Sequence, residues 1–205
     1  MALVKYNNNS ISTISSAGQL AQGSLVPIKT LTASSSSTLS FVDGTDGVVL
    51  DSTYPIYKFE FINIHPSTAS RPQFNLSTDG GSNYNVTKTT TAFTSYHDEA
   101  DTGANLSYAP SADLAQSTGV QRLGGTTDAD NDTAMSGTLT LFNPSSTTFV
   151  KHFIIRTQQV STAYSQELYI AGYGNTTSAI NGIQFSQSSG TIETGKIKLY
   201  GIKDS

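Results

Sequence analysis

The acidic run Asp128-Ala129-Asp130-Asn131-Asp132 sets carboxylates at alternate positions, the spacing with which a loop converges oxygens on a hard cation such as Ca2+. The run opens like a calcium-binding loop. Its continuation departs from one, because Thr133 stands where the sharp turn needs glycine and Leu139 where a bidentate glutamate would close the cage. Asp128, Asp130 and Asp132 therefore read first as a solvated loop and only second as a metal site, and no cofactor is expected. His65, His97 and His152 could each supply a base, yet none lies in a nucleophile-base signature, and neither a Gly-x-Ser-x-Gly elbow nor a His-Glu-x-x-His pair occurs. Asp98, Glu99 and Asp101 offer carboxylates for glycoside hydrolysis. That chemistry needs two carboxyl groups opposed across roughly 5 to 9 Å, and neighbours in one loop do not present it. The expectation is a protein that is not an enzyme.

Residues suited to binding are better represented. Ten tyrosines offer rings with one apolar face and one polar tip, favoured at subunit interfaces and on sugar-binding surfaces, although most fall on strand faces and read as packing. At strand ends, Asn105-Leu106-Ser107-Tyr108 and Tyr173-Gly174-Asn175 combine an amide with a ring. Asn105, Tyr108, Tyr173 and Asn175 are the candidate ligand or subunit-contact residues, with a neutral or weakly polar glycan or another protein surface as the ligand. Each such loop taken singly reads more simply as a hairpin closure or a subunit contact.

The elements that must hold these residues follow from composition. With 29 serines and 28 threonines, 57 of 205 residues carry an aliphatic hydroxyl, while charged residues make up only 13%. Ser, Thr, Asn and Gly disfavour helix interiors, and no long run has helical spacing, so helix content should be very low. Short alternating runs bounded by Gly, Pro, Asn or Asp predict about eleven strands. In Tyr57-Lys58-Phe59-Glu60-Phe61 three rings share one face and two charges the other, the period of 2 of a half-buried strand. Similar runs are Thr38–Val42, Gln73–Ser77, Tyr84–Thr89, Ala92–Tyr96, Val120–Leu123, Thr138–Phe142, Thr148–Arg156, Glu167–Ala171, Ala179–Phe185 and Lys196–Ile202. Many strands with few long connections predict an all-β, antiparallel β-sandwich, jelly-roll-like, over residues 38–205. Residues 1–37 read as an extended N-terminal arm whose apolar patch, Leu25, Val26, Ile28 and Leu31, is the attachment point for a sheet edge or a neighbour.

The same composition narrows partners and compartment. Fifteen acids against eleven scattered bases argue against nucleic acid, no apolar run approaches the roughly 20 residues of a membrane span, and the N-terminus lacks a signal-peptide h-region. Absence of cysteine excludes a disulfide framework and a zinc-thiolate site. With few ionic anchors and no heptads, attachment would rest on repeated copies, either a homotrimer or multiple copies on a symmetric shell.

Several segments spread over the chain carry a family resemblance: Leu3 through Ser12, Ile28 through Ser34, Tyr57 through Pro66, the block Gly137 through Phe153, and the ending Ser189 through Lys203. In order and spacing these resemble virion structural proteins of marine tailed phages, including those infecting cyanobacteria. The resemblance implies a structural component of a tailed-phage virion, assembled in the cytoplasm of a bacterial host with other virion proteins of capsid or tail as partners, and it brings no functional residues with it. The leading expectation is a tail-fibre or baseplate-associated binding module engaging a host surface glycan. The alternative is a capsid decoration protein clamping head subunits, and the remote one a polysaccharide depolymerase.

Overall fold

The computed structural model describes residues 24–161 and 163–204, so the first 23 residues of the expected arm lie outside them. In chain order the strands are β1 (Leu25–Thr32), β2 (Thr38–Val42), β3 (Ile56–Pro66), β4 (Pro72–Ser77), β5 (Lys88–Asp98), β6 (Ala104–Tyr108), β7 (Leu114–Ser117), β8 (Gln121–Arg122), β9 (Met135–Phe142), β10 (Lys151–Ser161), β11 (Tyr164–Gly174), β12 (Gly182–Gln187) and β13 (Ile192–Ile202). No helix occurs among the described residues. They form two antiparallel sheets: a nine-stranded one running β1-β13-β3-β9-β10-β11-β5-β6, with β7 also on β5, and a four-stranded one running β2-β12-β4-β8.

The connectivity resolves into a framework and an addition. Strands β1-β13-β3-β9 and β2-β12-β4-β8, taken alone, follow the strand order of two interlocked Greek keys, which is the eight-stranded jelly roll. The other five strands enter as two insertions, β5 to β7 between β4 and β8 and β10 to β11 between β9 and β12, and both extend the same edge of the larger sheet.

Packing follows the alternation seen in the sequence. Tyr57, Phe59 and Phe61 of β3 are buried, while Lys58 and Glu60 face outward and pair at 2.9 Å. Across the sandwich, Phe41 packs on Phe59 at 5.3 Å between ring centres, Phe61 on Phe185 at 5.3 Å and Phe74 on Phe153 at 5.5 Å, mostly edge to face as ring quadrupoles prefer. Strands β9 and β13 are the two neighbours of β3. Beside β13, β3 bulges at Asn63, which takes a positive φ of 49°. A Cβ at Gly195 would sit 2.5 Å from the Asn63 carbonyl oxygen, so glycine is required at that level of β13.

Four elements differ from the sequence reading, one of them the short strand β7, which the alternation does not predict. Leu25–Thr32 is a strand paired with β13, so the boundary drawn before Thr38 does not divide the fold. Pro27 is tolerated there because the strand lies at the sheet edge and its register shifts between Pro27 and Lys29. Ile28 and Leu31 pack against the core, which leaves Leu25, 42% exposed, and half-buried Val26 as the outer part of the expected attachment patch. Of the expected strand Tyr84–Thr89 only Lys88 and Thr89 are extended, and they join Ala92–Tyr96 in the single strand β5, since the threonines between them carry no turn signal and favour extended backbone; Tyr84 to Thr87 lie outside any strand. Asn105 to Tyr108, read as a loop, belongs to β6; its alternation is that of a strand, but all five residues of β6 are exposed.

Candidate functional site

The outer face of the inserted strands carries the chemistry. Register sets the side chains in rungs: Thr89 of β5 beside Tyr173 of β11 beside His152 of β10, then Thr91 beside Ala171 beside Ile154, then Phe93 beside Tyr169 beside Arg156. The middle rung, without a ring of its own and with rings on either side, leaves an open trough of about 470 Å3. Its floor is Thr91, Ala171 and Ile154, the last 54% exposed, and Thr89, His152 and Tyr173 line one end.

That end is held by a polar network. The His152 and Tyr173 rings lie 6.4 Å apart. Gln116 donates through Nε2 to Thr89 Oγ1 at 2.7 Å and reaches the Tyr173 hydroxyl at 3.5 Å, while Asn175 Nδ2 donates to Gln116 Oε1 at 2.8 Å. Gln116 itself has a positive φ of 47°, in the left-handed region, where backbone conformation is costly unless the surroundings fix it. Across the middle rung, Phe93 and Tyr169 stack at 4.6 Å with planes 9° apart, and the Arg156 guanidinium lies 5.3 Å from the Tyr169 ring centre. Arg156 also makes a charge-assisted hydrogen bond to Glu167, which holds the Glu167 carboxyl below its usual range. Phe93 and Tyr169 thus cover one face of each other outside the trough lining, whereas Thr91, Ala171, Ile154 and Tyr173 line it.

The structure places the four candidate residues in this region unequally. Tyr173 borders the trough and Asn175 braces it through Gln116. Tyr108 stands beside Phe93 on β6, and its hydroxyl donates to Asp113 Oδ2 at 2.5 Å, which with nearby Thr91 sets its ionisation, the net effect being upward. Asn105 lies farther along β6, opposite Tyr96, and is not part of the trough. Sequence reading missed Thr89, Thr91 and Gln116. The period-2 pattern of Thr89-Thr90-Thr91-Ala92-Phe93 is the signal that places Thr89, Thr91 and Phe93 on one face.

The acidic run is organised by a hydroxyl. Thr133 Oγ1 donates to the Asp128 carbonyl at 2.7 Å and to the Asp130 carbonyl at 2.9 Å, which closes the loop through its backbone. Among the described residues no three acidic or histidine side chains gather as a metal ion requires, so Asp128, Asp130 and Asp132 do not converge as the second sequence reading had them. His65 is fixed by the Thr133 carbonyl at 2.7 Å and lies 3.3 Å from Glu193, and His97 pairs with Asp101 at 3.1 Å. Asp98 accepts from the Thr102 backbone and hydroxyl, a turn contact that lowers its carboxyl pKa. No helix among the described residues is long and apolar enough to cross a membrane.

No family model matches this chain, and neither the curated proteins nor the solved structures yield a match.

Proposed function

We propose that the protein is a structural component of a tailed-phage virion, a tail-fibre or baseplate-associated binding module whose trough takes a neutral glycan of the host surface. The observation that carries this reading is the trough itself: a concave strip with an apolar floor, threonine hydroxyls at Thr89 and Thr91 and the Tyr173 ring at one end, the mixture that sugar recognition uses. Its braces, Gln116 and Asn175, hold these groups before a ligand arrives, which reduces the ordering cost of binding. Repeated copies, as a trimer or on a symmetric particle, multiply a weak single contact through effective concentration. Binding proceeds without hydrolysis.

A capsid decoration protein is the second reading, favoured by β6, an edge strand with every residue exposed and Leu106 at 68%, suited to extension by a neighbouring subunit.

Replacing Tyr173 by Ala is expected to lower adsorption of the labelled protein to host cells by about tenfold or more, the scale of losing an aromatic anchor from an interface. Adsorption unchanged by Tyr173→Ala, with hundreds of copies per particle by quantitative mass spectrometry, would favour the decoration reading. Release of reducing sugar from host polysaccharide would restore the depolymerase.

A further inference from the structure

On the inward side of the same inserted strands, away from the trough, lies a smaller cleft of about 220 Å3. Two arginines from the framework meet there. Arg71 immediately precedes β4, and Arg122 belongs to β8, which pairs with β4 through Gln73. Neither guanidinium makes a salt bridge with a carboxylate among the described residues, although the chain has more acids than bases. Burial and the neighbouring Arg71 charge hold Arg122 below its ordinary pKa range. Like charges facing one cleft are unfavourable in the empty protein and become favourable once an anion lies between them.

The cleft is also shaped. Arg122 Nη1 donates to the Ser111 carbonyl at 2.6 Å and to the Ser111 hydroxyl at 2.9 Å, which fixes the plane of its guanidinium. A Cβ at Gly124 would collide with Gln159 Oε1 at 2.6 Å, and one at Gly125 would collide with Gln166, so bare backbone lines this wall. Tyr164 borders the cleft and leans on Tyr96, their ring centres 5.8 Å apart, which supplies an aromatic side. The volume is below the roughly 300 to 1,000 Å3 of sites that enclose drug-sized ligands, so one small residue fits and a longer segment does not.

We propose that the cleft between Arg71 and Arg122 binds an acidic sugar residue, with its carboxylate on the two guanidiniums and its ring against Tyr164. Arginine pairs recognise carboxylates through parallel N–H donors, and a tyrosine face suits a pyranose ring. The site is independent of the trough and of where in a particle the protein sits.

The test is titration of the purified full chain with glucuronate, glucose, acetate and inorganic phosphate, followed by NMR, for the native protein, Arg71→Ala and Tyr173→Ala. Arg71 is exposed, so Arg71→Ala is expected to fold, and its far-UV spectrum checks this; Arg71→Gln serves if it does not. Glucuronate is expected to bind, glucose not to bind at this cleft, and acetate to bind about tenfold more weakly; Arg71→Ala is expected to weaken glucuronate about tenfold or more, the scale of a lost charged hydrogen bond. Tyr173→Ala is expected to leave the glucuronate titration unchanged, which separates failure here from failure of the trough reading. Acetate or phosphate binding as tightly as glucuronate, tighter capture of an acidic peptide, insensitivity to Arg71→Ala, or no binding at all would each overturn the assignment.

Discussion

Replacing Phe185 by Ala is expected to destabilise the protein by about 4 kcal/mol, within the range for removing a buried phenylalanine. Phe185 is 1% exposed on β12, an inner strand of the small sheet, and contacts four rings: Phe61 at 5.3 Å, Phe59 at 5.5 Å, Phe41 at 6.1 Å and Phe74 at 6.3 Å. Phe59 and Phe61 belong to the opposite sheet, so this one side chain joins the two layers. Its loss leaves a cavity that neighbouring rings on relatively stiff strands fill only in part. Against a typical total of roughly 5 to 15 kcal/mol, that is a large fraction of the stability. Denaturant unfolding checks it through a lower midpoint at an unchanged slope. Phe149→Ala is the control: that ring is 67% exposed, and a change within about 0.5 kcal/mol is expected. A Phe185→Ala loss below about 1 kcal/mol would mean that the two sheets are not packed as described.

The second large effect concerns pH. Lys88, on the inner face of β5, is fully buried, and its ammonium donates to Asn75 Oδ1 and to the Val86 carbonyl. Burial lowers its pKa from 10.5 to about 8. The unfolded chain therefore keeps the Lys88 proton up to about pH 10.5, while the folded protein releases it near 8. Between these values the unfolded state binds more protons, so stability rises with pH, and below about 8 the full penalty, about 3 kcal/mol, is present. Lys151, also buried, shifts in the same direction by desolvation. Tyr57 acts oppositely above pH 10: burial raises its pKa, so the unfolded state gives up its proton first and stability falls. The expected profile climbs from pH 8 to about 10 and then turns down. Thermal unfolding across this range checks it, with Lys88→Met flattening the climb. The slope is the readout, because the substitution also removes a donor from Asn75 and Val86. An identical climb in Lys88→Met would rule out Lys88 as its source.

Much of this arrangement is legible in the sequence, for a local reason. The alternation of Tyr57 to Phe61 places rings inward and charges outward without reference to anything else, and β2 runs over the expected residues because Asp43-Gly44 ends it. What is not legible depends on register between distant strands. Phe93 and Tyr169 stack only because β5 and β11 pair in one particular alignment, and Arg71 meets Arg122 only because β8 returns to β4 after an excursion through three other strands. Edge strands β1 and β6 escaped the pattern because an edge need not bury both faces. The proline in β1 and the fully exposed β6 lack the signature of an interior strand.

The two insertions bear on how such a protein diversifies. The insertions lie outside the strand order of the eight-stranded roll, yet they carry most of the trough and the tyrosine side of the arginine cleft, and Phe153 on Phe74 packs them on the roll. The residues of both proposed sites thus lie largely on the insertions, whose inward side chains also belong to the core. Exchange of the outward side chains of residues 78–120 and 143–181 as a paired cassette, with the inward side chains of β5, β10 and β11 retained, would change the surface of both proposed sites while keeping the core contacts.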